Sequence, residues 1–573
     1  MTASSTQTFR DTHLLDAAAA AQAQTKDIAT VAAQTDLWIF RHGCRQVPGP
    51  AFVRDLACRI SQKTSVSDAL IQAGELEAAL ADAGSADADA AAELTDAFAY
   101  RVCTGNANKS DPADIVGRIA VPDLLNISPP EGFTYYALHP LDFAKLVARI
   151  PGEPRSCAII GIRSIGTTLS AMVAAQLWVS GRAASRITVR PTGHPYARTT
   201  QFTAEQASWI DRHKSRSAQF LIVDEGPGRS GSTFLSVAEA LLRAGVPPDA
   251  ITIVGSRQFD PDSLCAENAA ARWRELCFLS TMPSVNTRFE NCLYIGGGDW
   301  RNYLCNDGQS NDGQNWPESW TQMERLKFLS PDRQRFFKFE GMGPIGAEVQ
   351  GRAFILADAG FCPQVSDAED GFLAYDVPSG RHMRPEDLST SVLERIANYC
   401  AFRASQFRCQ QSEPTELQKM LEFNVFQEFG RELSLSAEGL LSSNSVLSDG
   451  RMQPHEWIVT RSGDYIKTDA ISHGDNHFFP GPCDIAWDLA GTAIEWQLGS
   501  DALKFLLTRF GQISGRDLSR QLPLYLLAYS VFRLGFCKMA MSTVRGSPEE
   551  QRLQSGYFYY RNRGEQMLKE FSN

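Results

Sequence analysis

Residues 221–234, Leu-Ile-Val-Asp-Glu-Gly-Pro-Gly-Arg-Ser-Gly-Ser-Thr-Phe, constrain the fold more than any other stretch of the chain. An apolar run delivers two adjacent carboxylates, Asp224 and Glu225, into a glycine-rich turn. Small hydroxyl residues follow, and then the helical pattern of 234–242. Strand, loop and helix N-terminus in that order form the geometry in which free backbone N–H groups and the helix dipole hold a phosphate. Acids at the strand end would face something else, such as ribose hydroxyls or a bound Mg²⁺. A ligand with a phosphate at one end and a diol at the other is a sugar phosphate.

Two neighbouring segments follow the same logic. Residues 157–169, Cys-Ala-Ile-Ile-Gly-Ile-Arg-Ser-Ile-Gly-Thr-Thr-Leu, are an apolar strand whose Gly/Ser turn opens a helix. Residues 187–198, Ile-Thr-Val-Arg-Pro-Thr-Gly-His-Pro-Tyr-Ala-Arg, are a strand running into a basic loop punctuated by Pro and Gly. From 155 to 256 strand patterns at 157–161, 186–190, 219–224 and 250–255 alternate with helical ones. This alternation predicts an α/β domain built on a doubly wound parallel sheet, with ligand loops at the carboxyl ends of its strands.

In order and composition the three segments resemble those of type I phosphoribosyltransferases of the orotate phosphoribosyltransferase kind. Counting from Asp224, the second glycine of that family's Gly-Gly-Thr-like loop falls on Gly231 and the hydroxyl residue on Ser232, while Ser230 replaces the first glycine and Glu225 the second Asp. The resemblance implies that Gly226, Gly228, Ser230, Gly231, Ser232 and Thr233 hold phosphoribosyl pyrophosphate (PRPP). Asp224 and Glu225 would bind its ribose hydroxyls, directly or through Mg²⁺. Arg163, Ser164, Ile165 and Gly166 would form the pyrophosphate loop. Arg190, His194 and Arg198 would belong to a mobile catalytic loop, although the lysine usual in such loops is absent. Donors aimed at pyrophosphate stabilise the charge that develops as it leaves the anomeric carbon, and loop closure excludes water. The nucleophile would be a ring nitrogen of a base-like acceptor, and by analogy the assembly a homodimer.

Residues 296–320 are dense in Gly, Asn and Asp and read as a long loop or linker. The predicted organisation is an N-terminal helical or cap region (1–115), a first domain (116–295), a linker (296–325) and a second domain (326–573). Alanine-rich 65–100 suits either a scaffold or a cap. Past the linker, residues 335–346 predict a strand with a central lysine and a glycine-rich tail. A helix over 347–360, stopped by Gly360, and a strand at 371–377 follow.

This half resembles aminoglycoside phosphotransferase-like small-molecule kinases, an α+β bilobal branch of the protein kinase-like fold. The resemblance implies ATP and Mg²⁺, with Lys338 on the nucleotide phosphates, Glu348 orienting Lys338, and 373–377 facing the adenine. The run Asp484-Ile-Ala-Trp-Asp488-Leu-Ala490 matches a run that ends the family's active site. His473-Gly-Asp-Asn-His477 looks like the catalytic loop, but it stands too close to Asp484 to leave room for a strand carrying the metal-binding Asp. The alignment that leaves room takes 448–459 as catalytic loop and 464–469 as the following strand. Asp449 would then orient or deprotonate an acceptor hydroxyl, Glu456 would take the metal position usually held by Asn, and Asp469 would bridge Mg²⁺ to the phosphates. The family's loop His and Asn are both missing, which leaves a pseudokinase open. His455, His473 and His477 fall close together, and 473, 475 and 477 would share one face of an extended segment. Substrate binding, proton transfer and a transition-metal site are all open there.

At 573 residues the chain needs more than one core. A net charge of −11 argues against a general nucleic-acid surface, since phosphate backbones demand clustered Lys and Arg. No run reads as the roughly 18 to 20 apolar residues of a membrane span, and the first residues lack the pattern of a secretory signal. Thirteen cysteines without a Cys-x-x-Cys pair read as reduced thiols in a cytoplasmic protein. The expectation is a PRPP-dependent phosphoribosyltransferase acting on small molecules, fused to an ATP-dependent small-molecule kinase-like domain. The alternative is a regulator that senses PRPP or a nucleotide and carries a pseudokinase, with a role in stress or defence, because fold alone does not settle function.

Overall fold

A computed structural model describes residues 37, 39, 44–62, 65–106, 111–150, 156–228, 230–304, 316–409, 415–433, 444–474, 476 and 478–571. Asp475 and His477 of the histidine cluster lie outside the described residues. The chain divides into two compact units. One is built on Gly43–Glu290 with Gly341–Ala347; the other is built on Asn291–Glu340 with Glu348–Asn573 and takes in the buried Leu37 and Ile39.

The first unit includes, ahead of its main sheet, helices α1 (Val66–Asp82) and α2 (Ala88–Thr104). It continues through β1 (Cys157–Ile162), α3 (Ile165–Val179), β2 (Ala184–Val189) and a hairpin of β3 (Thr192–His194) and β4 (Ala197–Thr199). Then come β5 (Gln219–Val223), α4 (Ser232–Arg243), β6 (Ile251–Gly255) and β7 (Cys277–Ser280). Five strands pair in the order β2-β1-β5-β6-β7, all parallel. Strands β1 and β6 are buried at every residue, as apolar strands covered on both faces must be. The order reverses between β1 and β5. Loops 163–166 and 224–231 therefore open at a topological switch point, where sheets of this kind receive ligands.

Helices α1 and α2 pack against α3 and belong to the same unit as the sheet, so residues 65–104 are not part of a separate region ending at 115. The anchor is Arg186 of β2. Its guanidinium forks onto Glu77 of α1 (Nη1–Oε1 2.7 Å, Nη2–Oε2 2.8 Å) and also reaches Asp96 of α2. Two parallel charge-assisted hydrogen bonds fix the angle of the helix as well as its position.

The second unit runs β8 (Leu293–Tyr294), β9 (Lys327–Leu329), β10 (Arg335–Phe339), α5 (Gly343–Asp358, whose first residues belong to the other unit), β11 (Val365–Asp367) and β12 (Phe372–Asp376). It continues with β13 (Gly380–His382), α6 (Thr390–Gln406), β14 (Trp457–Thr460), β15 (Tyr465–Lys467), α7 (Ala486–Glu495), α8 (Leu522–Thr543) and α9 (Pro548–Phe571). Strands β8-β9-β10-β12-β11 form an antiparallel sheet, and β13-β14-β15 a smaller one. A sheet-rich part thus passes through 377–379 into a part dominated by helices. Helix α8 is long and apolar enough to cross a membrane by length and composition, against the reading that no run approaches a span, but 83% of its apolar window is buried inside the protein.

The stretch expected as a linker at 296–325 is instead an excursion between β8 and β9, which pair with each other. It is tied to the C-terminal helices. Arg301 Nη2 meets Glu549 Oε2 at 2.8 Å, the Ser319 amide donates to Glu549 Oε1 at 2.7 Å, and Gln322 Nε2 donates to Thr543 O at 2.9 Å. Glycine and asparagine density said nothing of where the ends of this stretch return.

Candidate functional site

The second unit encloses a cavity of ≈ 310 Å³. Alternation along β10 puts Phe336 and Lys338 on one face. Phe336 stacks on Tyr375 of β12, with ring centroids 5.0 Å apart and planes 16° from parallel. Val377, Pro378 and Ile458 continue this apolar wall. A flat wall beside a backbone segment suits a planar ring with polar edges. Of the segment 373–377 expected to face adenine, Tyr375 and Val377 line the cavity.

Lys338 is almost wholly buried. Its Nζ lies 2.5 Å from Asp469 Oδ1, 3.0 Å from Glu340 Oε1 and 3.1 Å from Ser472 Oγ. Glu348, expected to orient it, is exposed on the first turns of α5, and the strand neighbour Glu340 holds the lysine instead. The signal was available: residues two apart on a strand share a face. Asp469 has φ 51, a left-handed conformation that a non-glycine residue adopts only when its surroundings impose it. Burial would raise its carboxyl, but Lys338, His473 and Lys327 outweigh burial and hold it well below the usual carboxylate range.

Asp449 is fully buried and stands behind the cavity wall rather than on it, which corrects its assignment as the residue that meets the acceptor. Its Oδ2 accepts from the Tyr399 hydroxyl and lies 3.3 Å from Lys467 Nζ. Burial works to raise its pKa, yet Lys467, the hydrogen bond from His473 and Arg403 bring it down to about 2. Glu456, expected to bind metal, offers its Oε2 to Lys467 at 2.8 Å. Asp449, Glu456 and His473 place ligand atoms within 4.8 Å of one another, but the Lys467 ammonium already stands against both carboxylates. Sequence reasoning missed Lys467, although it stands two residues before Asp469 on the expected strand. His473 lines the cavity, and burial brings its pKa down to about 4. His455 stacks on Trp300 and is likewise held well below its usual range by burial.

The frame around these groups comes from α6 and α7. Arg403 donates to Leu447 O and Ala470 O, each at 2.8 Å, and to Tyr399 Oη at 3.0 Å. Asp488 accepts from the amides of Asp449 (2.9 Å) and Gly450 (3.1 Å). One arginine and one aspartate therefore set the loops that carry Asp449 and Asp469.

In the first unit the expected pyrophosphate and PRPP loops lie side by side. A Cβ on Gly166 would fall 2.5 Å from Val223 O and 3.4 Å from Asp224 Oδ1, so only glycine fits between them. Ser164 has φ 92, a strained conformation at the turn, and Ile165 begins α3. Gly226 and Gly228 form the bend after β5, Gly231 caps α4 at φ 69, and Thr233 sits half-buried in its first turn.

Several expected contacts are engaged elsewhere. Asp224 and Glu225 are each only 5% exposed, and Gly132 and Ile165 pack against the Glu225 side, rather than both acids lying open at the strand end. Arg163 pairs with Asp82 at 3.0 Å and bonds to Thr188, and Arg190 pairs with the same Asp82. Arg198 Nη1 donates to Gly193 O within its own hairpin, and exposed His194 stacks on Tyr196. The Ser230 and Ser232 hydroxyls both donate to Pro195 O at the hairpin tip, at 2.9 and 2.6 Å.

No protein-family model matches the chain, and no curated protein does. Among solved structures it is similar to choline kinase LicA from Streptococcus pneumoniae (16% identity, TM-score 0.31), over 43% of this chain and 88% of that one. A choline/ethanolamine kinase family protein from Mesorhizobium loti is similar over 43% of this chain and 88% of its own (13% identity, TM-score 0.30). A Plasmodium vivax ethanolamine kinase is similar over 42% and 80% (10% identity, TM-score 0.29). The likenesses are to choline and ethanolamine kinases and extend over less than half of this chain.

Proposed function

We propose that the second unit transfers the terminal phosphate of ATP to a hydroxyl of a small molecule. One observation carries this reading: a strand lysine, Lys338, and a left-handed loop aspartate, Asp469, meet in a cavity that also has a flat apolar slot. The slot suits the adenine, Lys338 the phosphates, and Asp469 their counter-ion. Mg²⁺ binds through one or two carboxylates and takes its remaining oxygens from phosphate and water. Asp469, whose side chain is 26% exposed, fits that demand; Glu456, 7% exposed, does not. Bound Mg²⁺ would neutralise charge on the phosphate oxygens. In the reaction the acceptor oxygen bonds to the γ-phosphorus, the bond from that phosphorus to the bridging oxygen breaks, ADP leaves and a proton is released. Positioning and electrostatics supply most of the catalysis in such transfers.

The test is phosphorylation of a metabolite extract by ATP carrying ¹⁸O in its γ-phosphate, with the labelled products resolved by mass. Wild-type protein should yield a product that Asp469→Asn abolishes. Mg·ATP binding without any product would support the pseudokinase alternative, and no Mg·ATP binding at all would remove both.

A second reading concerns the first unit, for which we infer PRPP binding at the switch point between β1 and β5. It is supported by the close approach of Gly166 to Asp224 and by the αL glycine that opens α4. With the two acids buried and Ser230 and Ser232 engaged by Pro195 O, binding requires the hairpin to leave the loop. Turnover of labelled PRPP should be lost in the double variant Asp224→Asn/Glu225→Gln; equal turnover in that variant overturns the reading. Binding without turnover would favour a sensor over a transferase.

A further inference from the structure

Five lysines and arginines line the cavity of the second unit. Four have a carboxylate within 4 Å: Lys338 faces Glu340 and Asp469, Lys467 faces Glu456 and Asp449, Lys327 faces Glu324 and Asp469, and Arg325 faces Glu340. Arg451 does not. Among the described residues its guanidinium has no ion pair and no hydrogen-bond acceptor, and only its backbone amide is bonded, to Asp449 Oδ1. Its Cζ lies 4.9 Å from the ring centroid of Phe536, which contacts Trp320 edge-on at 5.2 Å. Of the other acids lining the cavity, Glu456 faces Lys467 at 2.8 Å and Glu318 faces Arg533 at 2.6 Å.

A guanidinium parked on an aromatic face keeps its N–H fork available, and that fork matches a carboxylate or a phosphate. Leaving such a charge half-buried without a partner is unfavourable unless a ligand supplies one. We infer that Arg451 receives an anionic group on the phosphoryl acceptor, so that the acceptor is a hydroxylated carboxylate or phosphate monoester rather than a neutral or cationic alcohol. This rests on the phosphotransferase reading of the same cavity.

The experiment is titration calorimetry on the full chain saturated with Mg²⁺ and a non-hydrolysable ATP analogue, using glycerol 3-phosphate, glycerate and glycerol as probes. At least one anionic probe should bind about tenfold or more tightly than glycerol, as expected for one charge-assisted contact. Which one binds tighter identifies the anion. Arg451→Met should erase the difference, Arg451→Lys should keep part of it, and nucleotide affinity should stay within about twofold in both, which also reports an intact fold. Failure of both anionic probes to bind wild-type protein overturns the inference, as does equal binding by Arg451→Met. Weakened nucleotide with unchanged probe affinity also overturns it, since the guanidinium would then serve the ATP phosphates. Lys338→Met separates the two levels: if it binds nucleotide as wild type does, the phosphotransferase reading itself falls.

Discussion

Lys338 on β10 and Asp469 beyond β15 join through a 2.5 Å contact between Nζ and Oδ1, which links the sheet-rich part of the second unit to the loop that follows β15. Glu340 and Ser472 complete the lysine's surroundings, so its ammonium is fixed before any ligand arrives. Preorganisation of this kind removes a cost from binding. Lys338→Met should weaken Mg·ATP by about 10- to 100-fold, the worth of a charge-assisted contact to phosphate. Glu348→Gln should leave it within about twofold of wild type. Calorimetric affinities decide between Glu340 and Glu348 as the lysine's partner; a large loss in Glu348→Gln would reinstate the latter.

Arg403 bonds to the carbonyls of both Leu447 and Ala470, which flank Asp449 and follow Asp469. Arg403→Met would leave Asp488 and Asp449 buried near no guanidinium, a loss of about 3–5 kcal/mol. Tyr399→Phe removes one hydrogen bond to a buried carboxylate, about 1.5–3 kcal/mol. Urea unfolding should order the two variants that way. Hydrogen exchange in Arg403→Met should rise at 447–450 and 469–472 together, and exchange rising at only one loop would show that the arginine does not couple them.

How much of this was legible follows from what each signal encodes. Parallel strands announced themselves because β1, β5 and β6 are apolar runs between helical patterns, a local property. Lys338 and Asp469, which meet in the cavity, were legible because a strand lysine and a strand-end aspartate also have local contexts. Lys467 and Arg403 were missed because their roles are set by tertiary contacts to Asp449 and Ala470, 18 and 67 positions away, whereas Glu340 was missed although it shares a strand face with Lys338 two residues before it. Glu348 was expected only through the resemblance to small-molecule kinases, and it is exposed on α5. Residues 296–325 read as a linker because composition marks loops without marking that β8 and β9 pair across them. Burial of Glu225 likewise brings in Gly132, a residue far upstream that no motif connects to it.

Glu456 should give the second unit a specific pH response. Burial pushes its carboxyl up to about 7, opposed by Lys467, against 4.5 in the unfolded chain. The folded state thus binds this proton more tightly than the unfolded state does. Its contribution is fully present below pH 4.5 and is lost as pH rises through 7. Glu456→Gln cannot ionise and should flatten that part of the profile, while Lys467 keeps Asp449 as partner. Thermal midpoints measured from pH 4.5 to 8 should therefore fall more steeply in wild type than in the variant. Parallel profiles would mean that Glu456 stays ionised throughout.

In the first unit, Pro195 O accepts from both Ser230 and Ser232, so the β3–β4 hairpin tip is fastened to the loop expected to hold phosphate. Each neutral hydrogen bond contributes about 0.5–1.5 kcal/mol, and two together set an opening equilibrium of about 5- to 150-fold. The double variant Ser230→Ala/Ser232→Ala should raise amide exchange across 192–199 by a factor in that range, with β1 and β5 unchanged because their ladder bonds lie in the core. It should also raise susceptibility to proteolysis at Arg198, the basic residue of the hairpin. Unchanged exchange in the hairpin would show that its position depends on packing elsewhere, and not on the two serine hydroxyls.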